Sequence, residues 1–177
     1  INPGAAGSPA APFIVQTGTN FVPGTPISTL LGLVATEGSW SQSYTLATGS
    51  PAGAPVPFAA TGPVPIPDNN PAGATLNIPV AGLAGPIGKV TVSLRITHTF
   101  NGDIAISLIS PDNTQVVLSQ NRGGSGDNFG ADCPASANDT TFDDSAATAI
   151  AAGTSPFLGT FRPDQPLAAF NGKTGAA

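Results

Sequence analysis

The stretch Val90–Thr97 reads Val-Thr-Val-Ser-Leu-Arg-Ile-Thr and gives the clearest structural signal in the chain. Its apolar residues Val90, Val92, Leu94 and Ile96 alternate with polar ones, and this period of two puts every second side chain on one face of a strand. The alternation predicts a half-buried antiparallel β-strand whose apolar face lies on a core.

The residues after this strand predict further strands joined by tight turns. Asn101-Gly102 predicts a hairpin turn, because a type I′ turn needs positive φ at both central positions. The alternation resumes over Ile104–Leu108, and after a Pro-Asp-Asn turn the stretch Gln115–Leu118 returns. We therefore predict a β-meander over Val90–Leu118.

Other parts of the chain give weaker β signals. Runs of apolar residues between turn residues predict strands over Ala10–Thr17, Ser41–Thr48, Ala74–Val80 and Phe157–Phe161. The apolar run Ile27–Ala35 is open between a buried strand, which the interruption at Gly32 favours, and a short helix. Asp143–Ala152 stays open between a short helix, which its alanine content favours, and irregular or β structure. The sum predicts an all-β fold.

The composition excludes several classes of function. Only 8% of the 177 residues are charged and the formal net charge is −5, so no basic patch is available to meet the phosphates of nucleic acid. No apolar run approaches the ~20 residues that a transmembrane helix needs. The low lysine content is typical of an extracellular protein. The single cysteine, Cys133, cannot form an internal disulfide.

Residues 49–57 are rich in Gly, Ala and Pro and form the best internal boundary. We predict an extended or strand-forming N-terminal segment over residues 1–57 and a β-sandwich over residues 58–177. The chain begins at Ile1 without a methionine, which predicts a processed N-terminus or a piece of a longer protein.

Residues that could carry catalysis are few. His98 is the single histidine and lies in phase with Ile96, so we expect an inward side chain satisfied by backbone groups or by Asp103. Ser155 lies in a Gly-Thr-Ser tripeptide that resembles the surroundings of a subtilisin nucleophile, but a triad needs a base within reach, and Pro156 blocks the helix that should follow. The sequence therefore predicts no enzyme.

Among metal ions, calcium is the candidate that the residue types favour. One cysteine and one histidine are too few for zinc, whereas calcium takes carboxylate and carbonyl oxygens from loops. The aspartates fall mainly in predicted turns. The candidate ligands are Asp68, Asp103, Asp127, Asp143 and Asp144. The alternative is that these side chains serve only as turn and capping groups.

Two surface features also have open interpretations. Trp40 and Tyr44 could form a sugar-stacking platform, but two aromatic residues without a third are interpreted as packing residues. Asn138-Asp139-Thr140 is a glycosylation sequon, which a bacterial source would make irrelevant.

Several motifs together resemble the P-domain, or homo-B domain, of kexin- and furin-like proteases and of many bacterial secreted proteins. The resemblance spans roughly residues 58–177, and its most specific part is the histidine-to-aspartate stretch with the Ser-Pro turn after it. The matching motifs are Ile66–Asn69, Lys89–Val92, Thr97–Ile104, Leu108–Thr114, Phe142–Asp144, Phe157–Pro163 and Leu167–Gly172.

The resemblance implies an antiparallel, jelly-roll-like β-sandwich without catalytic residues of its own. In the proteases this domain packs on the catalytic domain and stabilises it, and some bacterial examples bind calcium. For this chain it implies a non-catalytic module with a protein partner and with calcium as the candidate cofactor.

The chain departs from the family pattern in two places. Residues 1–57 are too short for a protease domain, and the sequence stops before the Gly-Thr-Trp-type strand and the further strands that would close the sandwich. An unclosed sandwich exposes unpaired backbone and an apolar core. We expect the remainder of a longer protein, strands within residues 10–48, or a strand from a neighbouring subunit to fill the gap.

Three functions remain in order of preference. The first is a structural or interaction module of a secreted or cell-surface protein. The second is a subunit of a self-assembling extracellular filament or surface layer, a homo-oligomer completed by strand donation. The third is the stabilising C-terminal module of a subtilisin-like protease. The sequence identifies neither partner nor ligand.

Overall fold

A computed structural model describes residues 14–18, 21, 25–46, 48, 54–60, 62–83, 85–131 and 138–174. Within these ranges the regular structure consists of seven β-strands and three short 3₁₀ turns, with no α-helix. The predicted all-β fold is confirmed, and the arrangement is consistent with a β-sandwich. The segment Asp143–Ala152, left open above, contains only a 3₁₀ turn at Ile150–Ala152.

The first two strands form a separate antiparallel hairpin. Strand β1 (Ile27–Ala35) pairs along its whole length with β2 (Gly38–Leu46), and Thr48 Oγ1 donates to the Thr25 carbonyl at the base of the hairpin (2.9 Å). The prediction for β1 is confirmed at both ends, whereas β2 begins and ends earlier than the predicted Ser41–Thr48.

The remaining five strands form two small sheets. In the first, β3 (Val92–Leu94) pairs antiparallel with β6 (Thr140–Phe142), which pairs parallel with β7 (Gly159–Phe161). In the second, β4 (Ala105–Ile109) pairs antiparallel with β5 (Gln115–Gln120). Both β3 and β4 are edge strands of their sheets.

The predicted meander is therefore right for β4–β5 and wrong for the neighbour of β3. Asn101 and Gly102 do not form a type I′ turn: neither has positive φ, and both belong to a 3₁₀ turn. Their N–H groups donate to the carbonyls of Gly126 and Gly124, each over 2.8 Å. The turn is thus bonded to a distant glycine loop, and the chain leaves β3 instead of folding back on it.

The core lies between the two sheets and is built largely from phenylalanine. Phe157 stacks on Phe129, with ring centroids 4.7 Å apart, and meets Phe161 edge to face at 6.1 Å. The other buried apolar residues are Ile104, Val116, Leu118, Phe142, Ile150, Leu167 and Phe170. This core lies wholly within residues 104–170.

Two sets of main-chain hydrogen bonds hold this unit together. Ile87 exchanges backbone hydrogen bonds with Gly172 and Lys173 (2.8 Å each). Along the outer edge of β5, the N–H groups of Asp164 and Gln165 donate to the carbonyls of Leu118 (3.1 Å) and Val117 (2.9 Å). The unit from Ile87 to Lys173 therefore holds its own first and last residues together.

Two predicted strands are wrong. Residues 14–17 of Ala10–Thr17 are not a strand, and residues 10–13 lie outside the described part. Ala74–Val80 joins no ladder, and its apolar side chains, including Leu76 at 50% exposure, face solvent. Pro79 lacks the N–H that a ladder needs. In the described ranges, no helix is long and apolar enough to cross a bilayer.

Candidate functional site

His98 is half-buried just beyond β3 and is held by main-chain groups. The backbone N–H of His98 donates to the side-chain Oδ1 of Asn128 (2.9 Å). For the ring, the contacts are to the main chain: Nδ1 lies 2.9 Å from the Phe100 carbonyl oxygen and 3.1 Å from the Phe100 nitrogen. Of the two partners predicted for the ring, the backbone is found and Asp103 is not. His98 thus shapes the turn that leads to Asn101.

Asn101 is fully buried and ties three segments together. Its Nδ2 donates to the Asn128 carbonyl (2.7 Å) and to Ser155 Oγ (2.8 Å), while its backbone N–H donates to Gly126. Its Oδ1 is buried without a hydrogen-bond partner among the described residues. Sequence reasoning missed this role, because an Asn-Gly pair is the usual mark of an exposed turn.

The surroundings of Ser155 are those of a packed structural residue and differ from those of a catalytic nucleophile. Its Oγ accepts the Asn101 bond, and the Gly123–Gly126 loop closes over it. A Cβ placed on Gly126 would lie 2.6 Å from Ser155 Cβ, and one on Gly123 would lie 2.7 Å from Ser155 Oγ. In the described residues the His98 ring bonds to Phe100 and not to Ser155. The geometry gives Ser155 a structural role.

The five candidate calcium ligands are spread over the molecule. Asp68 lies in an exposed turn, while Asp103 and Asp127 are exposed on two loops that face each other, since Gly102 donates to the Gly124 carbonyl. Within the described ranges, no three His, Cys, Asp or Glu side chains come together as a metal site. Calcium binding stays a prediction.

Asp143 is engaged by a cation and by its own turn. Lys89 Nζ lies 2.8 Å from Asp143 Oδ2, and the Ser145 N–H and hydroxyl donate to Asp143 Oδ1 (2.8 and 2.7 Å). Desolvation by burial raises the pKa of Asp143, but the bonds from Lys89 and Ser145 outweigh it and hold the pKa below its ordinary value of 3.8.

Asp144 performs a different task from its neighbour. Its two carboxylate oxygens accept hydrogen bonds from the N–H groups of Leu167 (2.8 Å) and Ala168 (2.7 Å), at the start of the 3₁₀ turn Leu167–Phe170. A carboxylate at this position satisfies N–H groups that have no partner within the turn. Its predicted capping role is thus observed, although the capped turn is distant in sequence.

Two further ion pairs join loops that are distant in sequence. Arg122 Nη2 lies 2.8 Å from Asp164 Oδ1. The hydrogen bond to this carboxylate raises the pKa of the Arg122 guanidinium. Lys173 bonds to the Asp112 carboxylate in the β4–β5 turn. That bond, with those from Ser110 and Thr114, holds the pKa of Asp112 well below its usual range.

The remaining sequence features lie at the surface or outside the described ranges. In the sequon, Asn138 is half-buried, and Thr140 is fully buried with its hydroxyl donating to the Phe157 carbonyl (2.8 Å). Cys133 lies in residues 132–137, outside the described part. Trp40 and Tyr44 are 55% and 51% exposed, so the described residues cover only about half of each side chain, and neither is a buried packing residue there.

The hairpin has one strongly apolar face that the sequence did not reveal. Directly paired residues share a face, as Leu33 and Trp40 do. We call this the apolar hairpin face; it comprises Ile27, Thr29, Leu31, Leu33, Ala35, Gly38, Trp40, Gln42, Tyr44 and Leu46. The opposite face carries serine and threonine with Leu30 and Val34 as its large apolar residues. On the apolar hairpin face, the side chains of Leu33, Trp40 and Tyr44 are half exposed among the described residues, and a two-stranded hairpin is at best marginally stable alone in water.

A second apolar surface lies along the two edge strands. The core residues of β5 and β6 are about 1% exposed or less, as in Val116, Leu118 and Phe142, whereas the inward residues of β3 and β4 are only partly buried. We call this the open flank; it comprises Val92, Leu94, Ile106 and Leu108. The inward apolar residues of β3 and of β4 are thus less completely buried than those of β5 and β6.

Part of the larger unit matches a known protein family in sequence. Residues 87–151 match the family model described as the proprotein convertase P-domain, which confirms the resemblance over that segment. The chain is also 36% identical over 87 residues to Leupeptin-inactivating enzyme 1 of Streptomyces exfoliatus. That alignment covers 49% of this chain and spans only a fifth (20%) of the relative's length. No solved structure matches.

Proposed function

We propose that this chain is a non-catalytic structural or interaction module, resembling the P-domain, of a secreted or cell-surface protein. The observation that carries the proposal is the coincidence of two boundaries. The P-domain match begins at residue 87, where Ile87 also begins the unit by bonding to Gly172 and Lys173. The matched segment is therefore the first part of a self-contained core.

The hydrogen bonds of the candidate catalytic groups support the proposed non-catalytic character. His98, Asn101 and Ser155 form one connected set of structural contacts around the glycine loop. A side chain that supports a buried turn cannot readily swing to meet a substrate. We therefore assign these residues to the stability of the module.

The experiment uses the whole gene product. Deleting residues 58–177 from the complete gene product should lower the melting temperature or the secreted yield of the remaining protein. Any activity of the remaining protein, measured per folded molecule, should stay unchanged. An unchanged melting temperature and yield would contradict the proposal. Hydrolytic activity of the 177-residue chain that is lost in Ser155→Ala, with its fold retained, would also contradict it.

The second candidate is a subunit of an extracellular filament or surface layer. It is favoured by the exposure of Leu33, Trp40 and Tyr44 on the apolar hairpin face and by the incomplete burial of the open flank among the described residues. Strands β1 to β4 contain no charged residue, and charges are the usual protection of strand edges against association. Electron microscopy of the native material tests this candidate, and dispersed single particles at high concentration would count against it.

A third candidate, the stabilising module of a subtilisin-like protease, rests on the P-domain likeness of residues 87–151. The complete open reading frame tests it, because a protease would carry its Asp, His and Ser motifs before Ile1. Their absence there would remove the candidate without affecting the first.

A further inference from the structure

Two Asn-Gly pairs occur in the sequence, Asn101-Gly102 and Asn171-Gly172. Asparagine is a thermolabile residue, above all before glycine, because a residue without a Cβ leaves its backbone nitrogen open to attack the preceding side chain. We propose that Asn171 is a site of spontaneous deamidation in the folded chain, whereas the surroundings of Asn101 protect it until the whole unit unfolds. The inference concerns the lifetime of the unit and goes beyond its proposed role as a module.

The reaction uses atoms of the chain itself and water. The backbone nitrogen of Gly172 attacks the side-chain carbonyl carbon Cγ of Asn171, the Cγ–Nδ2 bond breaks, and ammonia leaves with the proton of the Gly172 amide. The product is a cyclic succinimide. Water then opens the ring at Cγ, which gives aspartate, or at the main-chain carbonyl carbon, which gives isoaspartate.

Asn101 is held against this reaction at both reacting groups. Its side chain is fully buried, and its Nδ2 donates to the Asn128 carbonyl (2.7 Å) and to Ser155 Oγ (2.8 Å). The backbone N–H of Gly102, which carries the attacking nitrogen, donates to the Gly124 carbonyl over 2.8 Å. Freeing these groups separates segments that are distant in sequence, so the required opening approaches global unfolding.

Asn171 is held less firmly. The residue is half-buried, and Gly172 is exposed. The Asn171 side chain forms no hydrogen bond with the described residues, and its buried Oδ1 lacks a partner there. The N–H of Gly172 donates to the Ile87 carbonyl over 2.8 Å. The attacking nitrogen is thus restrained by one main-chain bond, while the side chain that it attacks is not tethered.

That main-chain bond belongs to a small contact that we call the Ile87 clasp, in which Ile87 exchanges backbone hydrogen bonds with Gly172 and Lys173. These residues are half-buried or exposed. The Lys173 side chain adds a bond to Thr114 Oγ1 (2.8 Å) and the ion pair with Asp112. Accessible backbone hydrogen bonds mark segments that open locally at a lower free energy than the whole unit. Opening of the clasp therefore frees the Gly172 nitrogen while the phenylalanine core stays folded.

Deamidation should in turn loosen the clasp. Both products place a carboxylate at position 171, where Oδ1 is buried, and burial of a charge without a partner is costly. Isoaspartate also adds a carbon atom to the main chain, which moves Gly172 out of register with Ile87. The reaction thus converts a transient local opening into a permanent one.

The two Asn-Gly pairs serve as each other's control within one chain. The 177-residue chain is incubated at mildly alkaline pH, folded or in urea, and both sites are followed by peptide mapping with mass spectrometry. In the folded chain Asn171 should deamidate roughly tenfold or more faster than Asn101, and in urea the two rates should converge. Equal rates in the folded chain, or an Asn171 that reacts only in urea, would overturn the proposal.

Lys173→Ala and Lys89→Ala form a matched pair, because each removes a lysine that is ion-paired with an aspartate. Relative to its rate in urea, Asn171 should deamidate severalfold faster in folded Lys173→Ala and at the parental rate in folded Lys89→Ala. Equal acceleration by the two variants would overturn local opening of the clasp.

The isoaspartate form, separated by anion exchange, tests the effect on the clasp. Its Ile87 amide should exchange hydrogen faster than that of the parent, whereas the Phe142 amide should be unchanged. Unchanged exchange at Ile87 would overturn the loosening. The gene-deletion test of the module's role is independent of all these outcomes.

Discussion

Asn101 Nδ2 donates a hydrogen bond of 2.8 Å to Ser155 Oγ, and this bond joins the turn after β3 to the loop before β7. Both groups are withdrawn from water, where a hydrogen bond is worth more and a missing partner costs more. The bond connects residues 54 positions apart in sequence, so it helps to hold the two small sheets in one unit.

Replacing Asn101 should therefore destabilise the fold strongly. Asn101→Ala removes both Nδ2 bonds, leaves the Asn128 carbonyl and Ser155 Oγ buried without this partner, and opens a small cavity. We expect a loss of about 2–4 kcal/mol in the free energy of unfolding, measured by urea denaturation. Asn77→Ala, at an exposed site, is the control and should change it by less than ~0.5 kcal/mol. Equal effects of the two substitutions would contradict the role of Asn101.

Gly126 should be required where the Gly123–Gly126 loop packs on Ser155. Its Cβ would meet both Ser155 Cβ and Ser155 Oγ at distances that side chains do not tolerate, so Gly126→Ala should cost about 1–3 kcal/mol through overpacking. Gly85→Ala is matched to it, since that Cβ would meet nothing within 4 Å and the residue lacks positive φ. Thermal unfolding of the two variants should separate them; a neutral Gly126→Ala would show that the loop can move aside.

Asp144 should stabilise the last turn of the unit through its two main-chain bonds. In Asp144→Ala the N–H groups of Leu167 and Ala168 lose their acceptors, and the expected loss is ~1 kcal/mol, as for other caps. Hydrogen exchange should accelerate at those two amides before the core unfolds. Asp68→Ala removes a carboxylate from an exposed turn and should leave both measurements unchanged. Undisturbed exchange in Asp144→Ala would argue against the cap.

The parts of this structure that sequence could predict are the local ones. The apolar run of β1, the alternation in β4 and the turn signal at Asp112-Asn113 depend on neighbouring residues alone. Asn113 has the positive φ (63°) that such turns use. Asp144 was predicted as a cap but not for the correct turn, because its partners lie 23 and 24 residues away.

The parts that sequence could not predict depend on long-range contacts. Nothing in Val92–Leu94 indicates that its partner is Thr140–Phe142 instead of the next strand, since short strands carry little information on pairing. Asn101 gives the signal of an exposed turn and is fully buried, because the glycine loop supplies the backbone partners. The apolar hairpin face was missed because Leu33 and Trp40 share a face only once the register is known.

Acid should weaken the Lys89–Asp143 contact. The pKa of Asp143 is lower in the folded chain than its ordinary value of 3.8, so its stabilisation is fully present above that value and is lost as pH falls through the folded pKa. The variant Asp143→Asn should be less stable than the parent near neutral pH, and the gap should narrow below about pH 4. Urea midpoints measured along a pH series provide the check. A difference in stability that stays constant with pH would show that it does not come from the ionised Asp143 carboxylate.

Calcium should act through carboxylates that the fold itself leaves unused. Asp103 and Asp127 are exposed on facing loops, and their side chains form no hydrogen bond or ion pair with the described residues, whereas Asp143 and Asp144 are already satisfied. Calcium should therefore raise the melting temperature by several degrees, and EGTA should reverse this, because a ligand that binds only the folded state stabilises it. The double variant Asp103→Asn with Asp127→Asn should lose the increment while keeping the calcium-free melting temperature.

Asp143→Asn provides the matched control for the calcium experiment, because it should lower the melting temperature equally with and without the ion. Two carboxylates are few for a cation that takes six to eight oxygens, so main-chain carbonyls of the facing loops must complete the set, and the affinity should be modest. A melting curve that millimolar calcium leaves unchanged would remove calcium from the account of this fold. An increment that persists in the double variant but disappears in Asp68→Asn would move the site to the exposed turn before the module.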